Sequence, residues 1–533
     1  MRMKQILFVQ DSVVEKGMPK MWKKFNKKLE NTKKFLSKYK TPTNQVSSTV
    51  QTNFDTLTND YFQKDDDVVY FPIQEKYGIA YIDTIVNEKK INEIIDYLNK
   101  ISTTDQSNNT TIHKLPIHYT TESEFEKIVQ SMTEGRAVLF INDETEAIVI
   151  NIQEVKERAL EEPSVEATIK GPREGFIENF KTNLSLIRRR IQHHKLKIEK
   201  LRVGSLSQTN IALLYIDGLA NDQIVDEVRR RIKQIEVDAI QSSNQINAFI
   251  RDHRYSIVPL VGSTERPDRI AANILEGKVA IVVDGTPFVL YGPVNMFSLL
   301  QSADDYYDST YIASLLRLIR FAALFVSLLL PSLYIALTTY HHEMIPTALA
   351  LSIAAGRETI PFPALIETLF IEVIFEFLRE AGLRLPKAIG NTISIVGALV
   401  IGDAAVRAGF VSPLVVIIVS VTAISSFIIP SYSLGIAFRI LRFVFIFLAA
   451  TFGFFGIVWG LMILYLHLTS LRSFGYPYLA PHAPFIPNEM RDTIFRFPLF
   501  KQNNYPKFTV EEPTLKRFPK PNKTKERWKK GGE

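Results

Sequence analysis

The chain has 533 residues, 46% hydrophobic and 22% charged, with a net charge of +7 and no cysteine. That length exceeds one ordinary domain, and the missing thiols exclude disulfides, cysteine nucleophiles and thiolate metal sites. The moderate average conceals two unlike parts: residues 1–310 alternate charged and apolar stretches, whereas 321–468 hold long runs almost free of charge, the composition of a membrane region.

The N-terminus carries basic residues and then only the four-residue apolar run from Ile6 to Val9. That is too short for a secretory core, so the soluble part is expected in the cytoplasm. Residues 1–40 hold twelve Lys/Arg against three Asp/Glu, and 491–533 hold twelve against five, so basicity is confined to two tails. Such tails are solvated, or they attach to anionic lipid at about 1 kcal/mol per basic residue. No zinc, RNP or helix-turn-helix pattern accompanies them, and nucleic acid is not expected as a partner. Residues 1–62 read as a basic tail and a polar linker.

An α/β region of two duplicated strand–helix modules follows. In the first, 63–160, Gly78-Ile-Ala-Tyr-Ile-Asp83 predicts a strand and Ile91 to Leu98 an amphipathic helix. In the second, Ile211 to Asp217 and Ile224 to Ile232 repeat that order, and both strands end in Tyr-Ile-Asp. Thr121-Glu122 leads through a helix to Glu134-Gly-Arg and a strand. Thr264-Glu265 leads likewise to Glu276-Gly-Lys and a strand. Residues 161–310 comprise a basic helical connector, Phe176 to Arg202, and this second module. Asp83 and Asp217 end strands where carboxylates cap the following helix.

Residues 311–475 read as an all-α multi-pass membrane domain. Phe321 to Tyr340 is charge-free over 20 residues, enough for about 30 Å of hydrocarbon. Val411 to Pro430 is a second run, Ile440 to Leu468 a longer third, and Ile389 to Ile401 a short glycine-bearing fourth. Gly456 and Gly460 have the spacing that permits close helix packing. The segment 358–380 is apolar but carries Glu358, Glu367, Glu372, Glu376 and Glu380. At 100° per residue Glu358, Glu372, Glu376 and Glu380 share a side, while Ile360, Pro363 and Glu367 share another. Ionised groups cost at least about 2.5–3.5 kcal/mol facing lipid. Three readings remain open: an interfacial amphipathic helix, a structural face paired with Arg357, Arg379 or Arg384, or the lining of a cation path.

Both basic ends belong in the cytoplasm, so the number of crossings is even. Four are expected, with the glutamate segment interfacial or re-entrant, and six are the alternative. His341, His342 and Glu343 read as a polar loop rather than a metal site. Residues 476–533 form a basic cytoplasmic tail. The sequence has no phosphate loop, HExxH or nucleophile elbow, so neither an enzyme nor a cofactor is expected.

The runs Pro361-Phe-Pro-Ala-Leu-Ile-Glu367, Glu376-Phe-Leu-Arg-Glu-Ala-Gly-Leu-Arg-Leu-Pro386 and Ser394-Ile-Val-Gly-Ala-Leu-Val-Ile-Gly402 closely resemble the A subunit of the GerA-type spore germination receptors. Pro172-Arg-Glu-Gly-Phe176, Gly277 to Phe288 and Gln301-Ser-Ala-Asp-Asp-Tyr-Tyr307 extend the resemblance. Asp403 departs from it, since a neutral residue is expected there. The resemblance implies a protein of the spore inner membrane that works with a transporter-like B subunit, which binds the nutrient germinant, and a lipoprotein C subunit. It also implies a homo-oligomeric ring that releases monovalent cations. On that footing the ion-path reading rises, with Glu358, Ile360, Glu367, Glu372 and Glu376 as candidate pore or gate residues. A non-conducting scaffold that clusters receptor subunits is the alternative.

Overall fold

A computed structural model describes residues 45–104, 119–153, 162–163, 166, 168–384, 402–487, 489–498 and 505–510. The chain forms two compact units. The first runs to Glu154; the second holds everything from Val155 onward and also reclaims Lys64–Asp67.

The first unit is a five-stranded antiparallel sheet in the order β1-β2-β4-β5-β3, from β1 (Val68–Ile73), β2 (Tyr77–Ile82), β3 (Tyr119–Glu122), β4 (Arg136–Ile141) and β5 (Ala147–Asn151). Its helices are α1 (Val50–Thr56), α2 (Glu88–Thr104) and α3 (Phe125–Thr133). Strand alternation sorts the side chains between two cores. Ala80, Val138 and Val149 join Phe54, Ile128 and Met132 of α1 and α3. Ile79, Leu139 and Ile148 join Ile91, Ile94 and Leu98 of α2.

The second unit opens with α4 (Phe180–Arg190) and then repeats the pattern. Strands β6 (Leu196–Val203), β7 (Thr209–Ile216), β8 (Gly262–Thr264), β9 (Val279–Val283) and β10 (Val289–Gly292) are ordered β6-β7-β9-β10-β8, the order of the first sheet. Here α4 and α7 (Pro267–Ile274) cover Ala212, Leu214, Ala280 and Val282, while α5 (Asp222–Lys233) and α6 (Ser243–Ile250) cover Ile211, Leu213, Ile281 and Val283. The repeated Glu-Gly-Arg/Lys has a backbone cause. Gly135 and Gly277 follow helix ends at φ +91° and +80°, the left-handed conformation that closes a helix cheaply only as glycine.

Two expectations need correction here. The connector is helical only over α4, because Leu196 to Val203 pairs with β7 along its whole length and becomes the edge strand β6. Arg188 of α4, fully buried against Asp65 at 2.8 Å, seats that helix. Helix capping also falls elsewhere: Asn87 accepts from the backbone of Lys89 and Lys90, and Asn221 from Gln223. Each lies four residues beyond Asp83 or Asp217, so the cap itself is duplicated.

Short helices α8 (Met296–Leu299) and α9 (Asp304–Tyr307) lead to the long α10 (Thr310–Thr339). Then come α11 (Thr347–Arg357), α12 (Ala364–Arg384), α13 (Gly402–Arg407), α14 (Pro413–Phe427) and α15 (Tyr432–Ser470), followed by the small hairpin β11 (Arg472–Ser473) and β12 (Tyr476–Pro477). Among the described residues α10 and α15 have the length and composition to cross a membrane, and α14 is shorter. The short run 389–401 lies outside the described residues.

The third apolar run is not one straight span. Gly453 takes φ 61°, ψ −140°, and α15 breaks there into limbs 432–452 and 454–470. The limbs fold back on each other. A Cβ on Gly456 would lie 2.2 Å from the Leu448 carbonyl oxygen, and one on Gly460 2.9 Å from Phe445 and Leu448. In a continuous helix residues 448 and 456 would stand about 12 Å apart. The tip meets the end of α10, where Tyr340 donates to the Ala450 carbonyl at 2.8 Å and His341 packs on Phe454. Exchanging Gly456 for Val should therefore force the limbs apart at about 1–3 kcal/mol. A melt in detergent should show a lowered midpoint for G456V and little change for W459A on the exposed face; equal midpoints would contradict the folded-back limbs.

Candidate functional site

The three central glutamates turn into the helical bundle of their own subunit. Glu367 is buried at the start of α12, accepts from the backbone N–H of Ser412, and lies 3.5 Å from Arg357. Glu372 is fully buried, with Arg442 of α15 at 2.9 Å. That contact has ion-pair distance without hydrogen-bond alignment. Glu376 accepts from Arg439 at 3.0 Å and Arg442 at 3.2 Å, with Arg379 at 3.7 Å. Arg379 donates to Ser426 of α14 at 2.6 Å and stacks 4.3 Å from the Phe427 ring centroid.

Glu358 and Ile360 are placed differently. They occupy the turn between α11 and α12, Glu358 exposed and Ile360 half-buried, just before Pro361 and Pro363. Glu380 is also exposed and pairs with Arg384 at 2.6 Å. The helical stripe read from the sequence thus divides by depth rather than by angle. Of its expected arginine partners, Arg357, Arg379 and Arg384 each pair with a glutamate. Arg439 and Arg442 were missed, although the signal was present: Arg442 sits inside an otherwise apolar run, where a cation requires a partner.

A second charged cluster joins the α/β fold to α10. Asp305, fully buried in α9, holds Arg317 at 3.0 Å and Arg320 at 2.6 Å, and its carbonyl accepts from Arg496. Arg317 also reaches Asp492 at 2.8 Å, and Tyr306 donates to Asp492 at 3.0 Å while lying against both Arg317 and Arg496. Burial pushes the Asp492 carboxyl above its usual range, with Arg317 opposing. Tyr307 donates to Asp268 at 2.6 Å, and burial together with that carboxylate pushes its hydroxyl up to about 12. The resemblance motif Gln301 to Tyr307 is therefore the joint at which the long apolar helix α10 is bolted to the α/β fold.

The Bacillus/Clostridium GerA spore germination protein family model matches residues 49–508. The chain is 45% identical over 391 residues to spore germination protein KA of Bacillus subtilis (strain 168), covering 73% of this chain and 72% of that protein. It is 44% identical over 373 residues to spore germination protein A1 of the same organism, covering 70% and 77%. It is 42% identical over 384 residues to GerLA of Bacillus cereus, covering 72% and 78%. Among solved structures, the N-terminal domain of the A subunit of the Bacillus megaterium germinant receptor GerK3 matches at TM-score 0.37 and 26% identity, over 48% of this chain and 98% of that one.

The ion pairs predict an asymmetric mutational response. Replacing Arg442 with Met leaves Glu372 as a buried, uncompensated charge and should cost about 3–5 kcal/mol. Adding Glu372→Gln should recover part of that loss in a detergent melt. An additive double variant would show that the two residues do not interact.

Proposed function

The chain belongs to the GerA family, the A subunits of spore germinant receptors, and from that premise we propose that it assembles with itself into a ring enclosing a gated cation path. The carrying observation is α11. None of its residues is buried in the single subunit, although Ala348, Leu349, Ala350, Leu351, Ala354 and Ala355 make it apolar. Small-residue helices of this kind suit close packing against other membrane helices, which a ring of copies provides. Phe362, Ile366, Phe370, Val373 and Phe377 are exposed as well.

In this reading Glu358 and Ile360 face the path. Ile360 closes it by dewetting, and the ring of Glu358 carboxylates favours cations. Glu367, Glu372 and Glu376 hold α12 in place, so that pairing and conduction divide among the five glutamate-segment residues. Nutrient binding on the B subunit shifts the ring between closed and open states through differential affinity, with the C subunit outside the membrane. The complex resides in the spore inner membrane, both termini cytoplasmic and the basic tails on anionic lipid.

The helix directions support six crossings rather than four. Glu367 meets Ser412 where α12 and α14 begin, and Arg379 meets Ser426 toward their ends. Helices α12 and α14 therefore run the same way. With α10 and the two limbs of α15 these make five passes among the described residues, and the even total that two cytoplasmic ends require is six.

The purified chain reconstituted alone in vesicles should pass K⁺ in preference to Cl⁻, and Ile360→Ala should raise that flux severalfold. In spores the same exchange should lower the nutrient threshold for germination. A chain that inserts but conducts nothing, with or without I360A, favours the non-conducting scaffold.

A further inference from the structure

The last apolar limb of the bundle ends at Ser470, and the chain is fixed to the α/β fold almost at once. The Ser473 hydroxyl donates to the Leu260 carbonyl at 2.6 Å, and the Phe474 N–H donates to Asp252 at 2.6 Å. Arg231 holds the same Asp252 at 2.9 Å, so its charge is spent inward. Four residues of extended chain cover at most about 14 Å. Asp252 and Leu260, on either side of residues 253–259, are thereby hydrogen-bonded to residues three and four positions past a helix end that the proposed reading puts at the membrane surface.

Between these anchors the loop turns unlike side chains outward. Tyr255 is 98% exposed, Ile257 is half-exposed, and Phe249 joins them from the last turn of α6. His253 and Arg254 are exposed beside them, and Arg251 is partly so. Exposed tyrosine, isoleucine and phenylalanine interleaved with arginine are an awkward surface for bulk water. They fit the headgroup layer, where an amphipathic ring lies at the boundary and guanidinium groups bind phosphate bidentately.

We infer that the loop 251–257 of the second module is a membrane-surface contact, with Tyr255 and Ile257 in the interfacial layer and Arg251 and Arg254 on anionic lipid phosphates. It pins the sheet to the bilayer beside the exit of the last limb. Two arginines near such a surface add only a weak attraction, so the contact orients the module without anchoring the protein. The inference rests on the crossing of the membrane by α15 and is independent of conduction.

The absence of cysteine makes the test clean. A full-length Y255C variant is labelled with an environment-sensitive fluorophore and reconstituted in vesicles of 70% phosphatidylcholine and 30% phosphatidylglycerol. F455C, on the exposed face of the second limb, is the reference. The label at 255 should be quenched by lipid spin-labelled near the headgroup and shielded from iodide present on both faces. Adding R251Q and R254Q should lower the lipid quenching at least twofold. Iodide quenching at 255 with lipid quenching intact at 455 would overturn the contact and leave the crossing standing. Shielding at 255 from both quenchers would overturn it in favour of a protein partner. Loss of lipid quenching at 455 would overturn the crossing, and the contact with it.

Discussion

A guanidinium buried inside an apolar helical bundle has to find a carboxylate, and Arg442 finds two. Its ties to Glu372 and Glu376 bind α12 to the first limb of α15. Arg379 adds a tie to α14 through Ser426. These contacts determine which face of α12 is occupied within the subunit. The opposite face, with Ile366, Phe370, Val373 and Phe377, stays exposed. The segment 358–363 projects beyond the paired region, which is why the proposed constriction lies in the turn and not along the helix.

A second set of buried charges does for α10 what Arg442 does for α12. Asp305 grips two arginines one turn apart on α10, while Asp492 and Arg496, from beyond the last limb, close the ring around Tyr306. Removing one member of such a cluster leaves another unpaired in a dry setting, so its parts move together or not at all. A displacement of the second module would be delivered to the base of α10 rather than absorbed in a linker. The core itself is continuous across the joint, running from the sheet through Val294, Leu299 and Tyr478 into Leu324 and Leu328.

Much of the α/β region was legible in the sequence because its signals are local. Tyr-Ile-Asp at two strand ends, the Thr-Glu entries and the Glu-Gly turns mark equivalent places in two sheets of one topology. The edge strand β6 was not, since Leu196, Ile198, Leu201 and Val203 among charged residues keep neither the strand nor the helical period throughout, and only the pairing with β7 along its whole length settles it. The fold-back at Gly453 was hidden for another reason. Glycines are common in membrane helices, and only the close approach of Gly456 to Leu448 distinguishes a turn from a flexible point. The carboxylates of α12 were found by their cost in lipid, but Arg439 and Arg442, the partners on α15, lie more than 60 residues from Glu376 and are resolved only by packing.

One subunit presents a single Glu358 and a single Ile360, so the proposed path exists only if several copies surround an axis. Determining the mass of the purified full-length chain in detergent or lipid nanodiscs, by native mass spectrometry, tests this most directly. The account predicts a discrete closed oligomer of several 60.7 kDa chains. A stable monomer that still carries out nutrient-triggered ion release with its partner subunits would contradict it.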